Sequence, residues 1–409
     1  MSDPQAVIVA AARSPIGRAH KGSLTGIRGD DLAGAMVRAA LAQVPALDPH
    51  EVDDLMLGCA QPAGEQGYNL GRQVSLLLGL DDVAGTTVQR YCASSLQTTR
   101  MAFHAIRAGE GRVFISAGVE SVSRYAKGRS DGHPDTHHPG YAAAEERSAA
   151  RSTDPTVAPW RDPREDGELP DPYLAMGQTA ENVAQLCGIT REEQDEFGVR
   201  SQNLAEKAAA DGFWERDITP VTLPDGTVVR TDDGPRVGVT LEKVRTLEPA
   251  FRLGGTVTAA NCCPLNDGAA ALIVMSDQRA RELGLTPLAR IVATGVSGLS
   301  PEIMGLGPVE ASRRALANAG LTTKDIDLVE INEAFAAQVI PSYRQLGFEL
   351  DQVNVHGGAI AVGHPFGMTG ARIATTLING LRFRDAQFGL ETMCAAGGQG
   401  MAMILERLS

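Results

Sequence analysis

Short apolar runs alternate with helix-patterned segments along nearly the whole chain, and the alternation occurs twice. "AVIVAAA" (6–12), "RVFISAG" (112–118), "ALIVMSD" (271–277), "ARIVATG" (289–295) and "AMILERL" (402–408) read as buried strands. Each is too short for a stable helix and lacks the polar alternation of a half-exposed strand. Between them lie helical patterns such as "LAGAMVRAALAQ" and "EASRRALANAG". A chain built this way folds as α/β layers, with helices covering the faces of a sheet. The halves echo each other: "EVDDLMLG" precedes Cys92 and "DIDLVEIN" precedes His364, with offsets of 37 from Leu55 and 36 from Leu328. The pattern predicts a duplicated α/β unit.

The middle differs. Residues 125–172 are rich in Pro, Gly, Asp and His without a sustained period, which predicts an irregular surface excursion. After it, Thr190 and Glu193 form a capping box and Gly212 a helix stop. The expected division is 1–122 for the first part of the N-terminal half, 123–252 for an inserted loop domain, 253–285 for completion of that half, and 286–409 for the C-terminal half. A net charge of −13 without a Lys/Arg run argues against a nucleic-acid partner. No segment reaches the roughly 18 apolar residues of a membrane span, and "MSDPQAVIVAAARSP" does not read as a signal peptide. A cytoplasmic protein is expected. The six cysteines, at 59, 92, 187, 262, 263 and 394, show neither a CxxC pair nor zinc spacing, so reduced thiols and no metal are expected.

Four motifs carry chemistry. In "TTVQRYCASSLQTTRMAFHAIRAG", Cys92 stands where a strand-like segment gives way to a helix, with Leu96, Phe103 and Ile106 on one face. A thiol at a helix N-terminus feels the positive end of the dipole, which predicts a lowered pKa. His364 lies among glycines 357, 358, 363, 367 and 370, a pattern that predicts backbone approached closely by a ligand. "LETMCAAGGQGMAM" ends a strand at Cys394, and "VEINEAFAAQ" ends another at Asn332 and Glu333. Four strand-end motifs in one α/β chain predict a common cleft outside the strand ends.

"CASSLQ", "NEAFAAQ", "GGAIAVGHPFGMTGAR" and "MCAAGGQG", in this order, resemble the four active-site blocks of the thiolases, and "RSPIGRAHKGSL" and "GTVTAANCCPLNDGAAA" extend the likeness over nearly the whole chain. The resemblance implies a thiolase fold, a duplicated α/β core in five αβαβα layers with an inserted loop domain, assembled as a homodimer or homotetramer. It implies no metal and no resident cofactor, coenzyme A being a substrate. The implied reaction is CoA-dependent cleavage of 3-ketoacyl-CoA to acetyl-CoA and a shortened acyl-CoA, or the reverse Claisen condensation. By family match Cys92 attacks and carries the acyl group, and His364 takes its proton. Asn332 holds a water at the enolate oxygen, Cys394 supplies a proton, and the N–H groups of Cys92 and Ala396 form an oxyanion site. Arg236, Cys263, Met176 and Phe335 are the implied substrate-binding residues.

Departures from the family pattern bear on these roles. Ala396 replaces a frequent Gly, which requires φ < 0 there. Cys263, in "NCCP", replaces a serine that contacts pantetheine. Ala175, beside Met176, stands where acetoacetyl-specific members tend to carry His, which favours a roomier degradative-type pocket. Acetoacetyl-CoA-specific condensation is the alternative. A decarboxylating ketosynthase would use two histidines where this chain has Cys394 and "NEAFA". The "HPDTHH" cluster of His133, His137 and His138 has no ligand scaffold and reads as an exposed loop, and His356 reads as a structural turn residue.

Overall fold

The computed structural model describes residues 4–128, 136–154 and 158–409. His133 lies outside the described residues. The first half supplies strands β1 (Ala6–Arg13), β2 (Gly17–Arg18), β3 (Asp54–Gly58), β4 (Ala84–Val88) and β5 (Val113–Ser121). A hairpin of β6 (Val221–Thr222) and β7 (Val228–Val229) precedes β8 (Asn266–Ser276). The second half supplies β9 (Ala289–Gly298), β10 (Leu328–Ile331), β11 (Phe388–Ala395) and β12 (Gln399–Arg407). The strand order is β10-β11-β12-β9-β1-β8-β5-β3-β4, with β2 paired to β8.

That order makes the duplication explicit. Reading outward from the centre, β1-β8-β5-β3-β4 is matched by β9-β12-β11-β10, and a parallel bridge from Val329 to Val353 stands where β4 would be. The equal offsets in the sequence arise here, because Cys92 follows β4 and His364 follows Val353. The two sheet regions are one hydrogen-bonded sheet, joined through the pairs Val7–Arg290 and Ile8–Ala289 of β1 and β9.

Strand alternation sorts the core into layers. On β8, Ala269, Ala271, Ile273 and Met275 pack outward with Leu32, Met36 and Val37 of the Gly29–Ala42 helix. Ala270, Leu272 and Val274 of the same strand point inward, to the cluster holding Leu96 and Ile106 of the Ser94–Ala108 helix and Ala371, Ile373 and Leu377 of the Thr369–Phe383 helix. From the other half, Met401 and Met403 enter this central cluster, whereas Ala402 and Ile404 face the outer helices Gly307–Ala319 and Ala336–Leu346. Helix, sheet, helix pair, sheet and helix make the five expected layers.

The excursion is more ordered than its composition implies. Ala142–Thr153 is a helix, although only Ala144 is buried. Three successive alanines supply helix propensity without an apolar stripe, so periodicity could not reveal it. The Thr190/Glu193 capping box forms as expected, and the helix it opens ends at Ala210, before Gly212 at φ 72°.

His356 is buried at 5% exposure, stacked face to face on Phe213 at 3.7 Å, and its Nδ1 has no hydrogen-bond partner among the described residues. Burial, and then Arg384, push its pKa down to about 4. In the unfolded chain the imidazole titrates near 6.5, so unfolding takes up a proton between those values. The sign follows: this contribution is complete above pH 6.5 and is lost as pH falls toward 4. Denaturant unfolding of wild type and His356→Asn from pH 7 to pH 4 should show the variant losing less stability, by up to about 3 kcal/mol over the window. Parallel losses in the two proteins would contradict the assignment.

Candidate active site

β3, β4 and β5 run parallel, as do β10 and β11, and their carboxyl ends carry the chemistry. Cys92 sits on the turn between β4 and the Ser94–Ala108 helix. Tyr91, immediately before it, adopts φ 45°, a left-handed conformation costly for a bulky side chain. Ser94 clamps this turn: its hydroxyl donates to the Tyr91 carbonyl at 2.6 Å and accepts from Arg90 N–H at 2.9 Å. The result presents the Cys92 thiol, 8% exposed, at the floor of a cleft of about 500 Å³. Gln61, Tyr91, Tyr173, Met176, Phe366 and Ala396 are among its other walls.

The thiol is not the low-pKa group expected from its helix terminus. Burial, and then the Glu120 carboxylate, push Cys92 up to about 12, while the peptide N–H groups of Cys92 and Ala396 act in the opposite direction. Desolvation outweighs the dipole because almost no solvent reaches the sulfur. Both N–H groups named for the oxyanion site thus favour negative charge on the sulfur. Ala396 avoids the left-handed region, which Gly397 and Gly398 occupy instead. The Gly-to-Ala departure is thus accommodated.

His364 is 1% exposed and fixed on both sides. Its Nδ1 lies 2.6 Å from Thr369 Oγ1, and that hydroxyl donates its proton to the Pro365 carbonyl at 2.7 Å. Thr369 can only accept from the ring, so Nδ1 carries the hydrogen and Nε2 is bare. Asn332 Nδ2 lies 3.2 Å from Nε2, and Asn332 Oδ1 has no partner among the described residues. Burial, and then Arg372, hold His364 down at about 3, so the resting imidazole is neutral. A neutral thiol and a neutral imidazole differ from the preformed ion pair of many cysteine hydrolases.

The glycines around His364 serve the protein's own backbone. A Cβ on Gly367 would meet the Val119 carbonyl at 2.3 Å, and one on Gly370 would meet Leu96 N at 2.2 Å. Close packing of this loop against β5 and the Ser94–Ala108 helix requires glycine at these two positions. Glu333 braces the same block, accepting from Ile360 N–H at 3.1 Å and from the Asn354 amide and Ser201 hydroxyl.

Cys394, fully buried on β11, lies in one apolar cluster with Phe335, Met176 and Cys262. Its thiol is pushed up by burial and then by Cys92. Cys263 is half-buried, its N–H donates to Ala334 O at 3.0 Å, and burial and the thiols of Cys262, Cys92 and Cys394 push its own thiol up. Pro264, next in sequence, lines a second cleft of about 360 Å³ with Arg236, Arg18 and Lys243. The "NCCP" segment therefore runs from the thiols to a basic cleft, and Arg236 is one of three cations there. Sequence reasoning missed Arg18, Lys243, Thr369 and Gln61. Thr369, inside the glycine block, was visible in principle; the others converge only through the fold. His137, assigned to an exposed loop, is half-exposed but also lines the Cys92 cleft, stacked on Tyr173 at 3.8 Å and bonded through Nδ1 to Glu145 at 2.8 Å. Among the described residues no cluster of His, Cys, Asp or Glu could hold a metal ion, and no helix is long and apolar enough to cross a membrane.

Comparison with known proteins agrees with this geometry. The thiolase N-terminal domain family matches residues 6–278 and the thiolase C-terminal domain family residues 285–407. The beta-ketoadipyl-CoA thiolase of Escherichia coli is 44% identical, covering 99% of this chain and 100% of that protein. The 3-ketoacyl-CoA thiolase of Bacillus subtilis is 41% identical over 98% and 99%. The crystal structure of the Bacillus anthracis acetyl-CoA acetyltransferase superposes with a TM-score of 0.84 at 39% identity, covering 99% of each chain. On fold, site and sequence together, the chain belongs to the thiolase family of acyltransferases.

Proposed function

We propose that this protein is a degradative 3-ketoacyl-CoA thiolase working through an acyl-Cys92 intermediate. What supports the reading is one convergence: a buried thiol under two peptide N–H groups, in a cleft shared with the loop of a neutral histidine whose Nε2 is bare. Cys92 attacks the 3-keto carbon as its proton passes to His364 Nε2. The carbon–carbon bond then breaks, and its electron pair forms the enolate of acetyl-CoA. His364, now a donor, and a water held by Asn332 stabilise the enolate oxygen, while Cys394 protonates carbon. Incoming CoA thiol returns a proton to Cys394 and attacks the Cys92 thioester, whose oxyanion the Cys92 and Ala396 N–H groups receive. Collapse releases the shortened acyl-CoA, and His364 reprotonates Cys92.

Arg236, with Arg18 and Lys243, meets the CoA phosphates, and Cys263 lies along the pantetheine. Met176 and Phe335 bound the reacting end. No metal or further cofactor takes part. The same reading takes the protein as a cytoplasmic homodimer or homotetramer, with residues 123–252 as an inserted unit.

Pocket shape decides the chain length. With Ala175 in place of an imidazole, thiolysis of six- to eight-carbon 3-ketoacyl-CoA should match or exceed that of acetoacetyl-CoA in kcat/KM. Ala175→His should cut the longer substrates by roughly tenfold or more, since a methylene's worth of pocket is worth about 1–3 kcal/mol, and spare acetoacetyl-CoA. Strict acetoacetyl-CoA specificity in the wild type would point to the condensing type instead.

A further inference from the structure

Glu120, near the end of β5, is a fully buried carboxylate to which the catalytic scheme above gives no part. Its Oε2 accepts from Ala60 N–H at 2.8 Å and from Gly367 N–H at 2.9 Å. Oε1 accepts from Gln61 N–H at 3.3 Å, the Gln66 amide at 3.1 Å and the Tyr125 hydroxyl at 2.9 Å, and Cys59 Sγ lies 3.8 Å away. Three chain segments are tied to this one group: the loop after β3, the turn after β5 and the His364 loop. Two of the segments contribute Ala60, Gln61 and Phe366 to the Cys92 cleft.

Every donor in this set is neutral, and among the described residues no basic side chain reaches salt-bridge distance of Glu120. A full set of donors is what an ionised carboxylate requires. Burial raises the carboxyl's pKa, and bonds from Ala60, Tyr125, Gln66 and Gly367 oppose that rise. The negative charge beneath the cleft floor is thus held by dipoles and not cancelled by a cation. Around Cys92 stand the thiols of Cys263 and Cys394. His364 stands on its glycine loop with Arg372 behind it, and Glu120 lies below.

We propose that Glu120 is a positioning residue for the reaction: it fixes the loops of Cys92's cleft and of His364, and its uncancelled charge keeps the proton on the Cys92 sulfur until substrate draws it to His364. The field disfavours a free thiolate in the resting enzyme. This inference rests on Cys92 as the nucleophile. That premise fails separately, if Cys92→Ala keeps turning over.

The test is alkylation of the full-length enzyme by iodoacetamide without substrate from pH 6.5 to 9.5, mapped to Cys92 by mass spectrometry. In wild type the rate should climb about tenfold per pH unit with no plateau, because the thiolate is a trace species throughout. Glu120→Gln should alkylate Cys92 about tenfold faster at each pH, the increase that one unit of relief gives, while kcat falls at least tenfold with KM little changed. Glu120→Asp, which keeps the charge, should alkylate within about threefold of wild type. Tyr125→Phe removes one neutral donor, leaves the charge less screened, and should slow alkylation by about twofold; it serves if Glu120→Gln does not fold. Equal acceleration in the Gln and Asp variants would show loosened loops alone and overturn the proposal. So would a wild-type rate in Glu120→Gln, or an unchanged or faster rate in Tyr125→Phe.

Discussion

Cys92→Ala should abolish thiolysis of 3-ketoacyl-CoA, with a loss of at least about 10⁴-fold, because removing the nucleophile of a covalent mechanism leaves only binding and the oxyanion donors. The fold should survive. Cys92 is a small side chain on a turn clamped independently by Ser94, and alanine fits the same φ and ψ. Unchanged circular dichroism and an unfolding midpoint close to wild type would separate lost chemistry from lost structure. Residual turnover above a hundredth of wild type would require another thiol to attack, and Cys263, whose thiol feels that of Cys92, is the candidate.

Cys394→Ala should divide the reaction differently. The acyl group can still move between CoA and Cys92, but more slowly, since His364 and the two N–H donors remain while the thiol that exchanges a proton with CoA is gone. Making or breaking the carbon–carbon bond should fall by more than the roughly 100-fold that one positioned acid or base supplies. Cys394 is wholly buried among Phe335, Met176 and Cys262, and its thiol is held well above the usual range. It therefore stays protonated until an enolate is within reach, which suits a group that must deliver a proton to carbon. Near-normal turnover in both directions would leave His364 as the only proton carrier. Exchange of deuterium into the methyl of acetyl-CoA gives an independent reading, and it should disappear in this variant.

Much of the fold was legible because strand-forming runs such as "ALIVMSD" are buried on both faces and leave an unbroken apolar signature. Order and duplication followed from spacing, since β3 to Cys92 and β10 to His364 are copies of one strand-crossover-strand path. The helix at Ala142–Thr153 escaped because a surface helix with a single buried alanine has no period to detect. At the site, residue types and strand ends marked Cys92, His364, Asn332 and Cys394. Their protonation could not be read the same way: the helix terminus argued for a thiolate, whereas desolvation and Glu120, 28 residues downstream in "GVESVS", impose a thiol. Gly367 and Gly370 show a related limit. Spacing exposes bare backbone, but only the fold shows that Val119 and Leu96 occupy the space. His137 illustrates the same limit, since a polar loop residue reaches the cleft only through tertiary approach.

Incubation with acetyl-CoA carrying label in the acetyl group, followed by rapid quench and peptide mapping, tests the account most directly. Wild type and Cys394→Ala should both carry label on the peptide containing Cys92, and Cys92→Ala should carry none. Only wild type should pass the label on into acetoacetyl-CoA. Label on any other residue, or acetoacetyl-CoA formed by Cys92→Ala, would contradict an acyl-Cys92 mechanism for this protein.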